Sequence, residues 1–162
     1  MRKLLDIVLY KTIIKKRGAK MNNSGHNIAH LISNLRGGIN EFILARLADE
    51  GISNLAPSHG AIFVVLYNEG PQTMLSLSEK INRDKSTLTV LVRKLEALGY
   101  VERESDEADK RVSIISLTEK GQRFRAVFEE ISKELVEKIW GGTPDKERCE
   151  ITEELKRMLE RL

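Results

Sequence analysis

The 162-residue sequence contains one cysteine, Cys149, and only three histidines. A single thiol excludes an internal disulfide framework, and no Cys/His quartet offers a structural zinc site, so a reducing, cytoplasmic setting is expected. No apolar run approaches the ~20 residues that a membrane span requires, so no membrane partner is expected. There is no glycine-rich phosphate loop, no cluster of metal ligands and no recognisable Ser or Cys partner for the histidines. Enzyme activity and a cofactor are therefore not expected.

A body rich in positive charge is missing too. The formal charge is +3, from 27 Lys and Arg against 24 Asp and Glu. Residues 1–20 hold seven of those basic side chains (Arg2, Lys3, Lys11, Lys15, Lys16, Arg17 and Lys20) and one acid, Asp6. They contribute +6, and the other 142 residues sum to −3. Bulk charge thus carries no functional argument; arrangement must. Residues 1–20 read as a basic extension: an arm, a short amphipathic helix, or a stretch upstream of a true start at Met21. Asp6 and Lys11 interrupt its apolar stretch and no small-residue cleavage site follows, so a signal peptide is not expected.

What is present is periodicity. The length suits one ordinary domain, or one core with an extension. From about Asn27 to Asp49 the residues Ile28, Leu31, Ile32, Leu35, Ile39, Phe42, Ile43 and Leu47 recur at threes and fours, predicting a long amphipathic helix. Gly37 and Gly38 inside it imply a bend, a close helix approach or room for a ligand. Pro57 opens a second helix that Gly70-Pro71 closes, and a short third helix covers about Leu75 to Ile81. Asp84 caps a fourth, Lys85 to Leu98, which Gly99 ends. VERES and RVSIISL read as two strands around the polar DEADK. Thr118 caps a long helix to about Trp140, and Pro144 starts a last one.

Helix, short helix, tight turn, helix and β-hairpin is the order of a winged helix-turn-helix, which presents one helix to a major groove. On the fourth helix Leu88, Leu91, Val92 and Leu95 share one arc, which should be core. Opposite lie Ser86, Val90, Arg93 and Ala97, with Thr89 and Lys94 on the flanks. Small hydroxyls, one apolar side chain and an arginine suit base edges and phosphates. From Gln72 to Leu117 eight basic and eight acidic residues balance, so phosphate binding must be local, around Arg83, Lys85 and Lys94.

The segments NLAPSHGAIFVVLYNEGP, LSLSEKINRDKSTLTVLVRKLEALGYVERE, DEADKR and SIISLTEKG resemble the MarR family of bacterial transcriptional regulators, over about Gly51 to Gly121. The resemblance implies a mainly α fold with a small β-hairpin wing: a winged helix-turn-helix plus N- and C-terminal dimerisation helices. The corresponding division is residues 21–50 for a dimerisation helix, 51–117 for the DNA-binding lobe and 118–162 for the C-terminal dimerisation helices. It also implies a homodimer on double-stranded DNA with an inverted-repeat operator, acting as a repressor. Lys85, Ser86, Thr87, Thr89 and Val90 match groove-facing positions, Lys110 and Arg111 the wing, and Asp109 the acid that supports it. Val90 stands where many members carry Arg, so a guanine contact is expected to be missing there. Asp106, Glu107 and Asp109 make the wing tip acidic.

The same resemblance suggests a pocket for a small aromatic effector, for which His30, Phe42, Phe63 and Tyr67 are the candidates; at helical spacing these are also ordinary core residues. His26 and His30 have metal-ligand spacing but no evident co-ligands, so no metal is expected, and Cys149 is expected to be a half-buried, inert thiol. Two alternatives stay open: a dimeric winged-helix scaffold that binds a protein, and a metal- or redox-responsive regulator. Val127, Phe128, Ile131, Leu135, Ile139, Trp140, Leu155, Leu159 and Leu162 are expected at the dimer interface.

Overall fold

The computed structural model describes residues 27–105 and 112–162. The basic extension of residues 1–20, the Met21 start, His26 and the wing tip with Asp106, Glu107, Asp109, Lys110 and Arg111 lie outside the described residues. The chain divides after Gly38, and the two parts are described separately. Helix α1 spans Ile28–Asp49. Its residues up to Gly38 are all exposed, including Ile28, Leu31, Ile32 and Leu35. Gly37 and Gly38 are helical, and a Cβ at either would meet nothing within 4 Å.

From Ile39 onward the order is the rest of α1, a 3-10 turn Pro57–His59, α2 Gly60–Glu69, β1 Gln72–Thr73, α3 Met74–Lys80, α4 Lys85–Ala97, β2 Val101–Ser105, β3 Ser113–Leu117, α5 Glu119–Trp140 and α6 Asp145–Glu160. The fold is mainly helical, with a three-stranded antiparallel sheet in the order β1-β3-β2. Two details differ from the sequence reading. Pro57 opens a 3-10 turn, and the α-helix starts three residues later. The wing also has a third strand: Gln72 and Thr73 pair with Ile115 and Ile114. Two residues carry no alternation to detect, so β1 is visible only through its partner.

The core of this part is continuous. Ile62 and Phe63 of α2, Leu77 of α3, Leu88, Val92 and Leu95 of α4, Val101 of β2 and Ile115 of β3 are almost completely buried. Phe63 is its aromatic hub, with ring centroids 5.7 Å from Tyr67, 5.8 Å from Tyr100 and 5.1 Å from Phe124. Such pairs add about 0.5–1.5 kcal/mol each beyond area burial. The Arg46 guanidinium grips Glu134 with two bonds of 2.7 and 3.0 Å, tying the end of α1 to α5. Gly121 is sterically required: a Cβ there would lie 2.1 Å from the Tyr100 carbonyl oxygen. That close approach lets Tyr67 donate its hydroxyl proton to the Gly121 carbonyl at 2.8 Å.

α6 is different. None of its residues is buried, and Ile151, Leu155 and Leu159 are exposed. Cys149, on its second turn, is exposed as well rather than half-buried, because among the described residues nothing covers α6. Among the described residues no group of three or more His, Cys, Asp or Glu could hold a metal ion, and no helix is long and apolar enough to cross a membrane.

Candidate nucleic-acid interface

Helices α3 and α4 are joined by a four-residue turn that is locked at several points. Ser78 donates its hydroxyl to the Arg83 carbonyl at 2.6 Å, while the Arg83 amide returns a bond to the Ser78 carbonyl at 3.1 Å. Asn82 sits at φ 49°, the left-handed region that a short polar side chain tolerates better than most. Asp84 then caps α4: its carboxylate accepts from the Thr87 amide at 2.8 Å, from the Thr87 hydroxyl at 2.7 Å and from the Ser86 hydroxyl. Those bonds, the Ser86 hydroxyl first, hold the Asp84 carboxyl well below the usual carboxylate range, so it stays ionised. At the other end Gly99, at φ 73°, donates to Glu96 and Tyr100 donates to Leu95, closing the helix as a Schellman motif. A helix fixed at both ends can hold a set of side chains in constant register.

The two sides of α4 differ as the periodicity requires. Leu88, Val92 and Leu95 have no measurable exposure, and Leu91 is half-buried. Opposite, Ser86, Val90, Arg93 and Ala97 are exposed, Val90 by 67%. Thr89 is half-buried and donates its hydroxyl to the Lys85 carbonyl at 2.7 Å. The charges sort by location. Lys80 is engaged by Glu69, and Arg103 of the wing by Glu96 at 3.3 Å. Among the described residues, Arg83, Lys85, Arg93 and Lys94 are exposed and have no carboxylate within 4.0 Å. A segment that is neutral in sum therefore shows a local excess of positive charge around α4.

Beside α4, β2 and β3 pair in register from Val101↔Leu117 to Ser105↔Ser113. A MarR family model matches residues 55–113, which run from before α2 to the start of β3. A MarR transcriptional regulator from Methanosarcina mazei Go1 is 30% identical in sequence; the superposition covers 83% of this chain and 94% of that one, with a TM-score of 0.70. The chain belongs to the MarR family. Reduced AbfR in its DNA-bound structure is also 30% identical, over 83% of this chain and 90% of its own, with a TM-score of 0.65. The regulator SarZ of Staphylococcus aureus strain USA300 is 37% identical over 71 residues, which are 44% of this chain and 48% of SarZ. The chain thus spans about half the length of the curated relatives it matches.

This MarR-family chain also has a cavity of about 70 Å³ that is open to solvent on one side. Ile43 and Leu47 of α1, Leu55, the Pro57–His59 turn, Phe63 of α2, and Phe124, Phe128, Ile131, Ser132 and Leu135 of α5 line it. Of the four residues named from sequence, only Phe63 lies in this wall. His30 is exposed on the first part of α1 and accepts from Asn34 at 3.0 Å. Phe42 is half-buried with the Lys138 ammonium 5.6 Å from its ring, and Tyr67 is occupied with Gly121. His59, at the start of a helix in the sequence, was not one of those four, yet it lies in the wall. It is buried, and its Nδ1 accepts from the Ala56 amide at 2.9 Å, which leaves Nε2 to carry the proton of the neutral ring. Burial pushes its pKa below the ordinary histidine value, and the Lys94 charge acts in the same direction. Ser132 commits its hydroxyl to the Phe128 carbonyl at 2.7 Å. The cavity is thus apolar and aromatic, and no charged side chain lines it.

Proposed function

We propose that this chain binds double-stranded DNA as a homodimer and represses transcription from an inverted-repeat operator. One observation carries the reading: a rigidly capped α4 sets exposed Ser86, Val90 and Arg93 opposite its buried face, with the exposed cations Arg83, Lys85 and Lys94 around them. Small polar and apolar groups reach base edges, while the cations meet phosphates. Lys110 and Arg111, with Asp109 in support, would extend the contact from the wing into the neighbouring minor groove. The likeness to AbfR, whose structure is of a DNA-bound protein, points the same way.

A dimer supplies the two recognition helices that successive major grooves, about 34 Å apart, require. The exposed Leu155 and Leu159 of α6, with Val136 and Ile139 of α5, provide apolar surface that a second copy would cover. A small aromatic effector fits the cavity, whose wall is built from Phe63, Phe124 and Phe128. The cavity shares the Pro57–His59 turn with the surface that packs on α4. Ligand there would shift the population between recognition-helix spacings that fit or miss the operator.

Footprinting on the DNA upstream of the chain's own gene tests the proposal. Protection of an inverted repeat is expected. No protection at low salt would reject it and favour a winged-helix scaffold for a protein partner. The effector reading is checked by thermal shift across aromatic compounds, together with release from the protected site. A compound that stabilises the protein yet leaves it on DNA would count against release by ligand.

A further inference from the structure

The hydroxyls of α4 limit which bases it can read. Ser86 and Thr87 both bond to the Asp84 carboxylate, and Thr89 bonds to the Lys85 carbonyl. Carboxylate and carbonyl oxygens carry no proton, so in each bond the hydroxyl is the donor and its hydrogen is spent. What these side chains still offer is oxygen lone pairs and, on the threonines, methyl groups. Between Ser86 and Arg93 on the outer face stands Val90, exposed and wholly apolar.

A guanine presents only acceptors to the major groove, N7 and O6, and needs a donor. The cations are badly placed to supply one at this patch. Lys85 lies about 140° round the helix from Val90 at 100° per residue. Arg93 stands nine residues past the cap, about 13 Å along the axis at 1.5 Å per residue, whereas such helices meet base edges near their N-terminus. An A·T pair offers the adenine N6 amino group to an acceptor, as a G·C pair offers cytosine N4, but only A·T also offers a thymine methyl to an apolar side chain, so Val90 makes the distinction.

Resting on the proposed DNA-binding function, we propose that Val90 selects A·T pairs in the operator half-site, with Ser86 and Thr89 as accessory acceptors. Val90 packs on a thymine 5-methyl, and the Ser86 and Thr89 oxygens accept from adenine N6. Val90 is the specificity-determining residue of this patch, and Lys85, Arg93 and Lys94 bind phosphates without sequence preference.

The test uses the full chain and a duplex library with a random core. The best-enriched duplex is then remade with deoxyuridine for each thymine in turn, which removes one methyl and keeps the base pair. At one or two positions in each half-site the replacement should weaken binding about fourfold, the worth of one buried methyl. Val90→Ala, a change at an exposed position, should weaken binding to the thymine duplex and abolish that sensitivity. An enriched duplex whose half-sites tolerate deoxyuridine everywhere would overturn this inference and leave the DNA-binding function standing. The same holds for sensitivity that persists in Val90→Ala. If no duplex is enriched at low salt, the proposed function fails and this inference with it.

Discussion

The winged-helix lobe and the terminal helix α6 are both amphipathic, yet they meet opposite fates in the chain. In the lobe Ile62, Leu77, Leu88, Leu95 and Ile115 reach zero exposure, because three helices and a sheet enclose them from every side. In α6, Ile151, Leu155 and Leu159 recur at helical spacing and remain exposed. The lobe's pattern is satisfied by its own elements; that of α6 is left uncovered among the described residues. The same periodicity that defines a core in one region leaves an exposed apolar stripe in the other, the surface that the proposed dimer would use.

This contrast can be broken most sharply at Gly121. Gly121→Ala drives a Cβ against the Tyr100 carbonyl, a backbone obstacle that no rotamer relieves. The loss should exceed the ~3 kcal/mol upper end of ordinary overpacking, and thermal or urea unfolding would show it. Leu77→Ala empties a fully buried site and should cost about 2–5 kcal/mol in the same assay. Retention of wild-type stability in either variant would mean that the lobe's core is not as enclosed as described.

A smaller effect comes from His59. Its pKa is below the ordinary value in the folded chain, so the unfolded chain takes up a proton first as pH falls. The stability it contributes is complete above the ordinary histidine pKa of about 6.5 and is progressively lost as the pH falls from there towards the lower folded value. Melting temperature should decline over that interval, and His59→Gln should flatten the decline. The smallest effect on the lobe belongs to Leu159→Glu. At an exposed site it should change lobe stability by no more than ~0.5 kcal/mol, while sedimentation shows the dimer dissociating at concentrations where the wild type stays paired.

Much of this was readable in the sequence, for local reasons. The caps at Asp84 and Thr118 and the stop at Gly99 act within a few residues, and all three stand where the pattern placed them. The buried arc of α4 followed from its 3.6-residue period. What escaped depends on distant partners. β1 exists because β3 lies beside it, and His59 is buried where α2 and α4 pack on the 3-10 turn. The cavity wall draws on α1, α2 and α5 together, so helical spacing could not choose its members, and only Phe63 was named. The commitment of the α4 hydroxyls to Asp84 and Lys85 is likewise a matter of rotamers, invisible in residue types.

The two faces of α4 do separate work: one packs into the lobe's core, and the other, under the proposed function, meets DNA. Val90→Glu tests it most directly, because the site is 67% exposed and the new charge would face phosphates. Fluorescence anisotropy on the duplex enriched from the library, read beside the melting curve, is the measurement. The melting temperature should be unchanged and the affinity reduced about a hundredfold or more by like-charge repulsion. A variant that binds the duplex as tightly as the wild type would contradict that division of α4.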